Sequence, residues 1–286
     1  MSIKQIFINK NRPKALWRIV IFFSTLLLAV SPLSLLDNTY LQFIGAVVIL
    51  MSVLYLNSKY LDKRGFQAYG LTFTKEFFVH LSIGILIGFF SVVLVLLIGK
   101  TTGIISVSEF LPISRSALLI PFAFKMLLVA ILEETLFRGY VFTNLYDGFK
   151  SKKISKKKAL LISLIISSVL FGLAHFNNNN ATILSIIFLS INGIVWCIPF
   201  ILTKNLGLSI GLHTAWNFTQ TQLGFTMSGN EAQHSLYKID NIGADLLTGG
   251  EYGPEAGVLG LIGFGAMLMI SLTYLKLTHK NTSIFR

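Results

Sequence analysis

Long apolar stretches alternate with short polar connections along almost the whole chain. Windows of about 18 or more apolar residues, the length needed to cross a hydrocarbon core as a helix, fall near 15–36, 40–56, 77–99, 116–145, 158–175, 181–203, 206–223 and 255–275. This pattern predicts an all-α, polytopic membrane bundle of about eight transmembrane helices. The second and seventh windows carry the weakest signal. No internal repeat breaks the chain into units, so residues 1–286 read as a single membrane domain.

Composition agrees with that class. The 286 residues are 53% hydrophobic and 13% charged, with mean hydropathy +0.72. The net charge of +12 raises the question of nucleic acid, but its distribution answers it. With the N-terminus inside, Lys4, Lys10, Arg12, Lys14, Arg18, Lys59, Lys63, Arg64, Lys75, the lysines of 150–158, Lys204, Lys276, Lys280 and Arg286 all fall on one side. The other side holds only Lys100, Arg115 and Lys238, against Asp37, Glu109, Glu231, Asp240, Asp245, Glu251 and Glu255. This is the positive-inside pattern. It predicts a multi-pass protein of the cell membrane with both termini cytoplasmic, a lipid bilayer as partner, and no nucleic acid.

The basic N-terminus with its first apolar window resembles a secretory signal, yet no small-residue cleavage site follows, and the stretch reads as a retained first helix. The single Cys197 cannot form an internal disulfide and reads as packing. Residues 224–254 form the longest polar loop, rich in Gly, Asn and acids, and 177–180 form a polar turn between the fifth and sixth windows.

Three polar motifs interrupt the apolar helices: Glu133-Glu134-Thr135-Leu136-Phe137-Arg138, Phe171-Gly172-Leu173-Ala174-His175, and His213-Thr214-Ala215-Trp216-Asn217. Ionisable groups in hydrocarbon are costly and mark function by default. Residues four apart share a helix face and neighbours diverge by about 100°. Glu134 is therefore predicted to pair with Arg138, leaving Glu133 on the face of Phe137, where it can act as a general base on water. Phe171 shares a face with His175, and His213 with Asn217. Glu133, His175, His213 and Asn217 thus come from three helices towards one interior. Two chemistries fit this set. A divalent metal such as zinc would be held by Glu133, His175 and His213, or the groups would manage a water and an oxyanion without metal.

In this order, E-E-x-x-x-R, F-x-x-x-H and H-x-x-x-N resemble the CPBP family, which spans CAAX prenyl proteases of the Ras-converting type and bacterial bacteriocin-processing or self-immunity (Abi) proteins. The resemblance covers roughly Ala117 to Leu275, a core preceded by additional N-terminal helices in 1–115. The Gly-Gly-x-x-Gly-Pro-Glu stretch ending at Glu255 is similar to one in bacterial members. The resemblance implies an intramembrane endopeptidase of glutamic or metallo type. By position, Glu133 and His175 would activate the water, and His213 and Asn217 would stabilise the oxyanion. Glu134, Arg138, Phe137 and Phe171 would support them. The implied substrate is a peptide or membrane protein delivered at the bilayer; the alternative is a non-catalytic self-immunity or scaffold protein.

Other features are expected to be structural. Gly207-Leu208-Ser209-Ile210-Gly211 matches a serine-nucleophile pattern but lacks its strand-turn-helix context. His80 is expected at the interface, Lys125 in a structural role, and every Asp in a loop, which disfavours an aspartyl mechanism. Depth sets a condition on the site. At about 1.5 Å per residue, Glu133 and His213 lie about 18 and 12 Å from the inner ends of their spans, but His175 lies about 26 Å from its own. The three meet only if the fifth span starts below the membrane as a lysine-rich helix, or if spans tilt strongly.

Overall fold

The computed structural model describes residues 8–9, 12–110, 119–151, 153–232 and 235–278. The basic residues Lys4, Lys10, Arg115, Lys152, Lys280 and Arg286, and the start of the core at Ala117, lie outside them.

Each apolar window becomes a helix. These are α1 (Ala15–Val30), α2 (Thr39–Asn57), α3 (Lys75–Thr101), α4 (Leu119–Glu134), α5 (Thr143–Phe149), α6 (Lys156–Leu173), α7 (Ile183–Thr203), α8 (Gly207–Gln222), the short α9 (Asp245–Thr248) and α10 (Val258–Thr278). The window at 116–145 is not one uniform helix. A π-helical stretch, Thr135–Phe142, joins α4 to α5. Among the described residues, five helices, α1, α2, α3, α7 and α10 with their short extensions, are long and apolar enough to cross a membrane on their own. Of the rest, α6 opens with Lys156, Lys157 and Lys158, and α8 is short and polar.

That polar helix is the centre of the bundle. Every residue of α8 except Phe218 is buried, so it needs no lipid-facing apolar side. Its most extensive partner is α3, and small residues make the approach possible. Gly84 on α3 meets Gly211 on α8, while Gly88 lies against the Leu212 backbone and Gly207 against that of Phe77. A Cβ on Gly84 would stand 2.5 Å from the Leu208 carbonyl oxygen, and one on Gly211 2.2 Å from that of Leu81. Two G-x-x-x-G faces therefore pack backbone on backbone, a common solution where lipid removes the hydrophobic driving force.

Two apolar clusters flank α8. One gathers Phe22, Tyr69, Tyr140, Phe142, Phe200 and Leu206 near the ends that carry the lysines; the other gathers Phe137, Phe171, Trp196, Trp216, Leu259 and Phe264 beside the motifs.

Small strands appear where only loops were expected. β1 (Ile8–Asn9) pairs with β2 (Arg12–Pro13), and β3 (Ile105–Phe110) pairs antiparallel with β4 (Tyr237–Asn241), from Ile105 opposite Asn241, with an irregularity between Val107 and Glu109. The long polar loop is thus tied down to the α3–α4 connection. Two sequence expectations are corrected. His80 is 1% exposed and packs edge-on against Tyr274 at 5.9 Å. Asp62 lies not in an open loop but fully buried at the end of the π-helical stretch Ser58–Asp62 that extends α2, where it accepts hydrogen bonds from Tyr69 and from Asn144 (3.2 Å) and faces Arg18 at 3.3 Å.

Candidate active site

The depths of the motifs are reconciled by where α8 begins. The α7–α8 turn is anchored by a Leu206 N–H to Gly70 carbonyl hydrogen bond of 2.9 Å, and the neighbouring Tyr69 ring lies 5.8 Å from that of Tyr140. α8 therefore starts at the level of residue 140, and α5 with the lysine-bearing start of α6 extends past that turn. On α7, Gly193 meets Ser168 of α6 and accepts a hydrogen bond from Arg138 at 3.2 Å. Counted from that common level, Glu133 and His175 lie at similar heights, about 8–10 Å up their helices.

Each motif residue is then fixed by a local rule. The last turn of α6 has carbonyls without helical partners. His175, in the turn that follows, fills one of them: its Nδ1 lies 2.8 Å from the Phe171 carbonyl oxygen. A carbonyl can only accept, so Nδ1 carries a proton, and in the neutral ring Nε2 is the nitrogen left with a lone pair. Glu134, fully buried, faces Arg138 at 3.0 Å, the predicted i,i+4 pair. The same Oε1 atom receives the Nδ1–H of His213 at 2.9 Å. With an acceptor oxygen facing Nδ1, the neutral ring of His213 carries its proton there and leaves Nε2 with the lone pair. Arg138 stacks over the Phe171 ring at 4.2 Å, and Trp196 lies 4.0 Å from the His213 ring, nearly parallel. Phe137 meets Phe171 edge-on at 5.4 Å. The supporting residues therefore lock both imidazoles by hydrogen bond and by stacking.

Glu133 is what they face. Its Oε2 lies 3.9 Å from His175 Nε2 and 3.8 Å from His213 Nε2, and has no hydrogen-bond partner among the described residues. The Glu133 side chain is 26% exposed, against 14% and 3% for the two histidines; Oε2 itself is buried between them, and the rest of the side chain borders open space. That space is a cavity of about 1360 Å³, also lined by Asn217, Lys125 and Glu255. Three acceptors converge at separations too long for direct hydrogen bonds, the spacing a bridging water fills.

As atoms, Glu133 Oε2 and two imidazole Nε2 are a proper zinc donor set. Yet tetrahedral zinc wants neighbouring donors roughly 3.4 Å apart. Among the described residues no group of three or more His, Cys, Asp or Glu is arranged to hold a metal ion.

Residues 115–219 match the family model for type II CAAX prenyl endopeptidase Rce1-like proteins. That stretch is an Rce1-like domain. No curated protein and no solved structure is detectably similar to the chain. The domain contains Glu133, His175, His213 and Asn217, and the match supports a multi-pass membrane protease acting on peptide substrates.

Among the polar residues of the cavity that lie beyond the Rce1-like domain, Glu255 is the one tied to motif three. Glu255, 1% exposed, accepts from Trp216 Nε1 at 3.1 Å and from the N–H and Oγ of Ser228 at 2.8 and 2.7 Å. It thereby clamps motif three to the loop that rims the cavity. Gly253, just before it, has φ +104° and no room for a Cβ, which would lie 2.0 Å from the Thr226 carbonyl oxygen. That Gly-Pro-Glu spacing was the available signal. The decoys are accounted for differently. Ser209 donates to the Trp196 carbonyl at 2.7 Å rather than to His213, and Lys125 lies 5.4 Å from the Phe43 ring in the cavity wall.

Proposed function

We propose that this protein is an intramembrane endopeptidase of the cell membrane, both termini cytoplasmic, which hydrolyses a peptide or membrane-protein segment delivered at the bilayer. The observation that carries the reading is the convergence of an unpartnered Glu133 oxygen and two lone-pair imidazole nitrogens on one point of a cavity. A water there donates one proton to Glu133 and the other towards His175 or His213. Its oxygen attacks the substrate carbonyl as Glu133 takes the first proton. The C–N bond breaks when that proton passes to the departing amine, and the second leaves the new carboxyl group for an Nε2.

The geometry favours one change to the roles that the resemblance implies. A neutral His213 with its Nδ1–H held by Glu134 offers no proton to an oxyanion. The amide of Asn217, one turn further on α8 and facing the cavity, is then the donor, while His213 joins His175 in receiving protons.

The test is hydrolysis of a peptide library by pure protein in liposomes. Glu133→Gln is expected to lower the rate by about 10²–10⁴-fold with an unchanged melting temperature. Equal product patterns from wild type and Glu133→Gln would defeat the reading in favour of a non-catalytic immunity or scaffold protein. Metal analysis and a chelator arm on the same preparation decide between the metal-free and the metal-bound form.

A further inference from the structure

The cavity reaches the connections on one side of the bundle and not those on the other. Its lining includes Tyr40 at the start of α2, Asn179 and Asn180 in the α6–α7 turn, and Asn230 and Glu231 of the loop before α9. All belong to connections on the lysine-poor side of the chain. Among the described residues, none of the connections rich in lysine and arginine, 58–74, 150–155 and 204–206, contributes to the lining.

Below the site, towards those basic connections, the bundle is filled. Phe22 stacks on Tyr140 at 3.7 Å, with Phe142, Phe200 and Leu206 around them. Beyond this apolar layer, Arg18 bridges Asp62 and Asp147, at 3.3 and 3.0 Å, while Arg12 and Arg64 add contacts of 2.7 and 2.9 Å to Asp147. This layer joins α1, α5 and the π-helical extension of α2.

Charge supplies the direction. Translocated loops are depleted in Lys and Arg, so the side that the cavity reaches, its mouth, faces away from the cytoplasm. We propose that the substrate is an extracytoplasmic peptide, or the extracytoplasmic end of a membrane segment, which reaches Glu133 from the outer side of the membrane. This rests on the hydrolytic reading above for what happens at Glu133, but the side of the opening is independent of it.

Two measurements separate those claims. In a Cys197→Ala background, Asn179→Cys or Glu231→Cys at the mouth and Lys153→Cys on the basic side are treated in intact cells with a membrane-impermeant maleimide. Asn179→Cys and Glu231→Cys are expected to label, and Lys153→Cys only after the cells are broken. The reverse pattern overturns the proposal. Secondly, a single-span reporter carries a randomised peptide segment on either its outer or its cytoplasmic side, in cells with wild-type protein or Glu133→Ala. Glu133-dependent fragments, read by mass spectrometry, are expected from the outer segment alone. Cleavage of the cytoplasmic segment overturns the proposal. Outer labelling with neither reporter cut would remove the hydrolytic reading and the substrate while leaving the opening where the labels place it.

Discussion

At the scale of the residue, one oxygen holds the site together. Glu134 Oε1 serves both Arg138 and His213, so it supports stability and fixes a tautomer at once. Removing either partner of a buried ion pair strands the other charge, which costs about 3–5 kcal/mol. Glu134→Ala and Arg138→Ala are therefore expected to lower the melting temperature in detergent sharply. An apolar replacement of similar volume on both sides, Glu134→Leu with Arg138→Met, removes both charges together and is expected to regain most of that stability. Peptide hydrolysis should not return with it, because His213 Nδ1 has lost its acceptor and the ring its fixed orientation. Stability and activity recovering together would show that Glu134 merely packs. Much of this was readable from spacing: Glu134 with Arg138, and Glu133 apart from them. The link from Glu134 to His213 was not, since nothing in two motifs 79 residues apart states which atoms meet. Glu255 escaped for a similar reason. An acid in a Gly-rich polar stretch reads as solvated until Trp216 and Ser228 are seen to enclose it.

At the scale of the element, hydropathy located each helix but not its environment. The windows mark where backbone must be satisfied internally, and helices occupy all of them. Hydropathy is silent on depth, however, and α8 shows why. A helix enclosed by others carries polar groups at little cost, so the most central helix gave one of the weakest signals. The π-helical stretch at Thr135–Phe142 was also hidden, since widening of a helix next to a site leaves no periodic trace in so short a segment. What determines the position of α8 is the glycine contact with α3. Gly211→Ala would drive a Cβ to 2.2 Å from the Leu81 carbonyl oxygen, which is backbone and can yield only if a helix shifts. The expected cost is about 1–3 kcal/mol or more, with a loss of activity beyond it, because the shift carries His213 and Asn217 away from Glu133. Gly265→Ala on α10, where a Cβ meets nothing within 4 Å, serves as the neutral control. Equal melting temperatures and rates for the two variants would mean that α3 and α8 are not held by this contact.

At the scale of the whole molecule, the bundle is polarised: a cavity with few fixed charges at one end, and at the other an ionic layer in which three arginines meet Asp62 and Asp147. Such a layer, tying the N-terminal helices to the half that carries the three motifs, makes stability depend on pH at the lysine-rich end. Burial pushes the Asp147 carboxyl up from its ordinary 3.8, but Arg64, Arg18 and Arg12 together outweigh this and hold it below that value. A carboxylate lowered in the folded state stabilises it fully above its unfolded value, and the contribution is lost as pH falls through the folded value. Melting measured from pH 7 downwards is thus expected to show no loss from this group until about pH 4, and a decline below it. Asp147→Asn should melt lower than wild type at pH 7, and the gap should begin to narrow near pH 4 and close only below the lowered folded value, where the wild-type carboxyl is protonated as well. A gap that stays constant through this range would assign Asp147 a role of shape rather than charge. The same layer predicts where damage spreads. If it is the seal beneath the site, Asp62→Ala, which strips Arg18 of its buried partner, should let the impermeant maleimide reach Cys197 from the cytoplasmic side of inside-out vesicles, while Lys100→Ala at the opposite end should not.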